Sequence, residues 1–235
     1  MTAGCLYGLG VGPGDPELVT LKAARILGSC PVVAYPAPDD GVSFARSIVA
    51  DLMPAGAVEI PIVIPMRTER FPAIEVYDAA AATIGGHLDA GRDVAVLCEG
   101  DPLFYGSFMY LFGRLAGRCR TEIVPGITSL TACAAALRRP LAGRNDVLSV
   151  VPATLAEDEL RRRLEAADAA AIIKIGRHLG KVRQVLHDLD LTARAGYVER
   201  ATLANQKAVP LARLDGDEAP YFSMILVYRG GEPWS

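Results

Sequence analysis

No uninterrupted apolar run in the chain approaches the ~20 residues that cross a bilayer. The start, Met1-Thr2-Ala3-Gly4-Cys5-Leu6-Tyr7, lacks a basic segment followed by an apolar signal core, so the sequence predicts a cytoplasmic protein with no membrane partner. An excess of positive charge is missing too. With 24 Lys and Arg against 27 Asp and Glu the net charge is −3, which gives no general pull onto nucleic acid; an anionic ligand must meet a local basic patch. There is no C-x-x-C spacing. Cys5, Cys30, Cys98, Cys119 and Cys133 are odd in number and mostly sit among apolar neighbours, where a free cysteine acts as a small hydrophobe. His87, His178 and His187 are scattered, so no metal site is predicted.

What is present suits a folded enzyme: 51% of the 235 residues are hydrophobic and 22% charged. Short aliphatic runs alternate with stretches of helical period, the pattern of parallel strands joined by helices. Strands are predicted at 5–9, 31–35, 58–62, 94–98 and 121–124, with helices clearest at 18–27 and 77–88, the latter closed by Gly91 as a left-handed end. The second half predicts strands at 147–151, 171–175, 196–199, 206–211 and 222–228 with fewer helices. Thr154 and Glu157 have the spacing of a capping box, so a helix is expected at 157–166, with Arg161, Arg162 and Arg163 mainly on its solvated face. The polar, turn-rich passage from Leu137 to Gly143 reads as a domain connection. The fold class expected is therefore α/β in two domains: 1–137 with a mainly parallel sheet and a glycine-rich turn, and 138–235 with a mixed sheet.

Three segments carry the chemistry. The first, Gly8-Leu9-Gly10-Val11-Gly12-Pro13-Gly14-Asp15-Pro16, follows the opening strand. The dinucleotide fingerprint G-x-G-x-x-G fails here, because its third glycine falls on Pro13 when counted from Gly8 and on Asp15 when counted from Gly10. A phosphate loop fails as well: the Gly-Lys-Ser/Thr ending is missing and Asp15 would repel a phosphate, whereas Asp15 as N-cap before Pro16 is locally sensible. The second segment, Glu99-Gly100-Asp101-Pro102-Leu103-Phe104-Tyr105-Gly106-Ser107, repeats the Gly-Asp-Pro turn at another strand end. The third is Val124-Pro125-Gly126-Ile127-Thr128-Ser129, whose hydroxyls either reach the same crevice or simply cap a helix. Ligands of open α/β sheets collect beyond the carboxyl ends of strands. Glycines admit a ligand close to the backbone, and the acidic residues suit a ligand bearing positive charge.

These three segments, in this order, resemble the tetrapyrrole methyltransferase family. The resemblance implies two α/β domains with S-adenosylmethionine folded into the cleft between them, a homodimer, and S-adenosylhomocysteine as product. The strings Gly196-Tyr197-Val198-Glu199-Arg200-Ala201-Thr202-Leu203-Ala204-Asn205-Gln206 and Tyr221-Phe222-Ser223-Met224-Ile225-Leu226-Val227 resemble the branch that methylates carbon 20 of precorrin-2, a step of cobalamin biosynthesis. A cobalt-loaded form of that substrate, in the anaerobic pathway, is an alternative that the sequence leaves open.

Carried over residue by residue, the resemblance implies cofactor contacts at Pro13, Gly100, Asp101, Pro102, Leu103, Tyr105, Thr128 and Ser129, and in the second domain at Ile175, Ala201 and Leu203. Ile175 and Leu203 read equally well as core residues. Val11 and Gly12 are expected beside the tetrapyrrole. That substrate carries eight carboxylates, for which Arg67 and Arg70 are the first candidate anchors, followed by Lys174, Arg177 and Arg200. Methyl transfer from a sulfonium needs alignment rather than a nucleophile, and no nucleophile–base pair is visible. The base that removes the proton afterwards stays open among Glu99, Asp101, Tyr105, Glu199, water and the substrate itself. Competing classes are a sister methyltransferase acting on another corrin intermediate or a translation-factor residue, a nicotinamide-dependent oxidoreductase, and a non-catalytic cofactor sensor.

Overall fold

The computed structural model describes residues 3–64 and 71–230, with side chains omitted at 71–73. The chain divides into two compact units, Met1–Thr128 and Ser129–Ser235. No helix among the described residues is long and apolar enough to cross a membrane.

The first unit is built on β1 (Leu6–Gly10), β2 (Val32–Ala37), β3 (Val58–Val63), β4 (Val94–Cys98) and β5 (Thr121–Val124), paired in the order β3-β2-β4-β1-β5. Every pairing is parallel. A parallel sheet must be covered on both faces, and the residues of β4 alternate between two cores accordingly. Val94, Val96 and Cys98 pack with residues of α3 (Phe71–Asp89) and α4 (Phe108–Leu115), among them Ile84, Leu88, Phe108 and Leu111. Ala95 and Leu97 pack on the opposite face with residues of α1 (Leu21–Leu27) and α2 (Phe44–Ile48), including Ile26, Leu27 and Ile48. Burying a leucine as completely as Leu97 is worth about 2 kcal/mol relative to leaving it in water. α3 ends as expected, with Gly91 at φ +76.

The second unit begins with α5 (Ser129–Leu137), followed by β6 (Leu148–Pro152), α6 (Glu157–Glu165), β7 (Ala169–Ile173), α7 (Leu179–Asp188), β8 (Ala195–Glu199), β9 (Lys207–Pro210) and β10 (Ser223–Tyr228). Its sheet runs β6-β7-β10-β8-β9, with β6 and β7 parallel and the other pairs antiparallel. Leu160 and Leu164 of α6 and Val182, Val185 and Leu186 of α7 share one core with Ile172, Tyr197 and Ile225 of the sheet.

Two expectations need correction. The division falls at Ser129 rather than after Leu137, because α5 lies on the second sheet: a Cβ on Gly196 of β8 would stand 2.7 Å from the Leu137 side chain. The Thr154 capping box does not form. The Leu155 N–H donates to the Pro152 carbonyl and draws Thr154 into a turn, leaving Ala156 as an N-cap without a side-chain hydrogen bond. Glu157, Asp158 and Glu159 supply negative charge to that helix start instead. The arginines of α6 are ion-paired, Arg161 to Asp188 at 2.6 Å and both Arg162 and Arg163 to Glu159.

Candidate functional site

In the first sheet β1 lies between β4 and β5, so the turns that leave the carboxyl ends of these three strands are neighbours along one edge. Two of the turns are the same device. Asp15 accepts the Glu17 N–H through Oδ1 at 2.9 Å, and Asp101 accepts the Leu103 N–H through Oδ1, also at 2.9 Å. Each carboxylate thus closes an Asx-turn at a Gly-Asp-Pro corner. Asp15 caps a short 3-10 turn, Pro16–Leu18, with Pro16 at its first position as expected, and α1 starts afresh behind Thr20.

The turns are also fastened to each other. The Gly100 N–H donates to the Gly12 carbonyl at 2.7 Å and the Gly12 N–H returns a bond to the Gly100 carbonyl at 3.3 Å. Asp101 accepts the Gly126 N–H through Oδ2 at 3.0 Å, so both its oxygens hold backbone amides on two different turns. Gly126 is pressed between the others: an added Cβ would meet the Gly100 oxygen at 2.0 Å and the Gly10 Cα at 2.8 Å. Only glycine permits three backbones to approach this closely. Above Gly100 itself, at φ +65, the nearest atoms to an added Cβ are 3.9 Å away, which leaves its backbone open to close approach.

Residues 8–18, 99–107 and 125–129 contain Asp15, Glu17, Glu99 and Asp101 and no Lys, Arg or His. This donor set fits a cationic ligand and opposes a phosphate. Glu99 follows β4 directly. Burial pushes its carboxyl above the usual carboxylate range, against the pull of the Glu99 and Ala45 backbone amides. Leu103 and Tyr105 stand 48% and 47% exposed beyond the Asp101 corner, Tyr105 in the left-handed region at φ +55, a conformation that non-glycine residues adopt mainly where structure over-determines them.

The remaining residues expected at a site divide clearly. Gly100, Asp101, Leu103 and Tyr105 share one turn with the buried Pro102, Pro13 and Thr128 are half-buried on the two adjoining turns, and Ser129 is exposed at the start of α5. The Val11 side chain is buried with Leu9, Val33 and Leu97, which leaves its backbone at the edge. Arg67 and Arg70 lie outside the described residues. Burial pushes the thiols of Cys5, Cys30, Cys98 and Cys133 up, those of Cys30 and Cys133 to about 12.

In the second sheet β10 runs antiparallel between β7 and β8, so the carboxyl ends of β7 and β8 share one edge with the amino end of β10. Lys174, Ile175, Arg177, Arg200, Ala201, Thr202 and Leu203 follow those strand ends. The Ile175 side chain is fully buried in the second core, Ala201 is buried, and Leu203 is half-buried. Glu199, one of the possible bases, is already engaged: its Oε2 accepts the Tyr197 hydroxyl at 2.6 Å and its Oε1 accepts Arg200 Nη1 at 3.1 Å. Sequence reasoning missed Tyr197 as a polar participant, although residues two apart on a strand share a face. It also gave no role to the exposed pair Tyr221 and Phe222, in edge-to-face contact at 5.0 Å.

The sequence profile described as tetrapyrrole (corrin/porphyrin) methylases matches residues 5–215, and the chain belongs to that family. Over 97% of its length it is 47% identical to the cobalamin biosynthesis protein CobIJ of Mycobacterium bovis; the match covers 46% of that protein, so the chain spans about half the length of this relative. It is 46% identical to the precorrin-2 C(20)-methyltransferase of a Sinorhizobium species over 95% of both chains, and 32% identical to the cobalt-precorrin-2 C(20)-methyltransferase of Salmonella typhimurium over 97% of this chain and 98% of the other. Among solved structures, a cobalt precorrin-4 methyltransferase superposes with a TM-score of 0.71 at 24% identity, covering 95% of this chain and 94% of its own. The uroporphyrin-III C-methyltransferase of Thermus thermophilus, solved with S-adenosyl homocysteine, does so at 0.69 and 23% identity, covering 96% and 92%. These likenesses establish the shared two-sheet α/β fold.

Proposed function

We propose that this chain is an S-adenosylmethionine-dependent C-methyltransferase that methylates carbon 20 of precorrin-2, yielding precorrin-3A in cobalamin biosynthesis. The observation that carries the methyl-donor part is the set of three fastened turns, rich in carboxylates and free of basic side chains, at the carboxyl edge of the parallel sheet. The choice of carbon rests on the identity to the Sinorhizobium enzyme over nearly the whole of both chains.

When bound, S-adenosylmethionine supplies a methyl group already activated on its sulfonium. Pro13, Gly100, Asp101, Pro102, Leu103, Tyr105, Thr128 and Ser129 are the contacts assigned to the first unit's edge, and Ile175, Ala201 and Leu203 those assigned to the second. The open backbone at Gly100 suits such a contact, and Glu99 and Asp15 put negative charge near a positive ligand. Val11, through its backbone, and Gly12, Arg67 and Arg70 are assigned to the tetrapyrrole side. In this reading the residues align donor and acceptor and exclude water; Asp101 fixes the turns rather than taking a proton, since both its oxygens hold amides. The proposal includes a homodimer in the cytoplasm, which light scattering of the purified protein checks.

The Salmonella relative favours a second reading, in which the substrate carries cobalt. Single-turnover reactions with labelled cofactor and either metal-free or cobalt-loaded precorrin-2 decide between them. The expected result is the mass gain of one methyl group on metal-free precorrin-2; transfer to the cobalt form alone selects the second reading, and transfer to neither overturns both.

A further inference from the structure

Arg200 ends β8 with its backbone in the left-handed region, φ +50, where a glycine would be the default. Successive residues of a strand point to opposite faces, so an ion pair between neighbours requires a turned backbone. The conformation of Arg200 supplies that turn and brings Nη1 to 3.1 Å from Glu199 Oε1. Glu199 is in turn fixed from behind. Its other oxygen accepts the hydroxyl of Tyr197, a fully buried side chain whose ionisation is pushed well above its ordinary range by burial and by this carboxylate. The Arg200 N–H donates to the Phe222 carbonyl at 2.9 Å, which ties the same residue to β10.

The result is a preset cation. The Arg200 side chain is 40% exposed against 16% for Glu199, and its Nε and Nη2 donors make no hydrogen bond to any described residue. A guanidinium held at one nitrogen keeps a planar fork of donors for a second carboxylate. Lys174 occupies the matching place at the end of β7, also left-handed at φ +57, with β10 between the two. Strand spacing sets the backbones of these two residues roughly 10 Å apart. Exposed Tyr221 and Phe222 lie at the amino end of β10 on the same edge.

We infer that Arg200 anchors an acidic side chain of the tetrapyrrole, and that Tyr197 and Glu199 are the positioning residues that hold it ready. This rests on the methyltransferase reading for the identity of the ligand. Strained backbone at two cations on one edge, with a half-buried acid and a buried tyrosine aligned behind one of them, has a purpose if the charge has to be delivered at a fixed point.

The test measures tetrapyrrole affinity by absorbance titration of precorrin-2, S-adenosylhomocysteine affinity by calorimetry, and Tm, for Arg200→Ala, Arg200→Gly, Arg200→Lys and Tyr197→Phe. Arg200→Ala and Arg200→Gly are expected to weaken tetrapyrrole binding by about 30-fold, the loss of a charge-assisted hydrogen bond, and to leave S-adenosylhomocysteine affinity within about twofold. Arg200→Gly relieves the left-handed strain, so its Tm equals or exceeds that of the wild type and separates lost charge from lost folding. Arg200→Lys recovers part of the affinity. Tyr197→Phe weakens tetrapyrrole binding by about fivefold without changing cofactor-product affinity, a split that a merely structural role would not produce. Wild-type tetrapyrrole affinity in both Arg200→Ala and Arg200→Gly overturns the inference while the proposed activity stands. A wild-type protein that binds precorrin-2 through Arg200 but transfers no methyl group overturns the activity and leaves the anchor intact.

Discussion

The two sheets meet the same demand, sharp turns at strand ends, with a different balance of means. The first unit uses glycines: Gly10, Gly100 and Gly126 let three turns touch backbone to backbone, and Asp101 fastens them. In the second unit Lys174, Arg200 and Thr202 adopt left-handed backbone without being glycine, at φ +57, +50 and +71, as Tyr105 at φ +55 does on the first edge. Glycine serves where the backbone itself is the surface. A side chain kept in an unfavourable conformation marks a place where that side chain has work to do. The first edge therefore reads as a surface for close backbone contact with a small cation, the second as a mount for charged groups.

Gly126→Ala strikes this comparison hardest, because the new Cβ lies between two backbones that have no side chain to yield. A loss of about 3 kcal/mol in stability, read from urea denaturation, and of measurable S-adenosylhomocysteine binding is expected. Wild-type behaviour would show that the turns do not depend on their close contact. Next comes Asp101→Ala, which frees the Leu103 and Gly126 amides and should cost about 2 kcal/mol, with S-adenosylhomocysteine affinity falling tenfold or more. Asp101→Asn keeps one acceptor and should lose less. A clasp predicts that neither variant removes the acid limb of the pH–rate profile; loss of that limb would make Asp101 the proton acceptor instead.

Glu99→Gln is expected to act more gently, lowering the preference for S-adenosylmethionine over S-adenosylhomocysteine by roughly fivefold, on the order of 1 kcal/mol, while sparing the neutral product. Burial raises the Glu99 pKa, so the wild-type preference should be full above that raised value and disappear as pH falls through it. Paired titrations across that range check the direction, and a preference that ignores pH removes Glu99 from the site. The smallest effect belongs to Thr202→Gly, which relieves left-handed strain and should stabilise the protein by about 0.5 kcal/mol in thermal denaturation, the reverse of Gly126→Ala. Destabilisation by Thr202→Gly would end the contrast between the edges.

Much of the first sheet was legible because its strands are buried on both faces and read as unbroken aliphatic runs; β4 and β5 begin and end where the pattern predicts. The Asp15 and Asp101 corners were legible too, since Gly-Asp-Pro combines an Asx acceptor with a fixed φ. The burial of Val11 had a signal, as it alternates with Leu9 into the same core. The helix α5 had none: Ser-Leu-Thr-Ala-Cys-Ala-Ala-Ala-Leu is small and apolar on all sides, so nothing in it says which sheet it covers. The capping box failed because Thr154 was taken by a turn that depends on where β6 stops. The approach of Gly10, Gly100 and Gly126, and the left-handed Lys174 and Arg200, arise from strand neighbours far apart in sequence, and no local rule announces them.

The central claim, methyl transfer to carbon 20, is tested most directly by incubating the protein with precorrin-2 and S-adenosylmethionine carrying a carbon-13 methyl group and placing the new resonance by NMR. The account predicts one enriched methyl bonded to carbon 20, with one S-adenosylhomocysteine released per methyl transferred. An enriched methyl at any other carbon, or none on the ring, would contradict it.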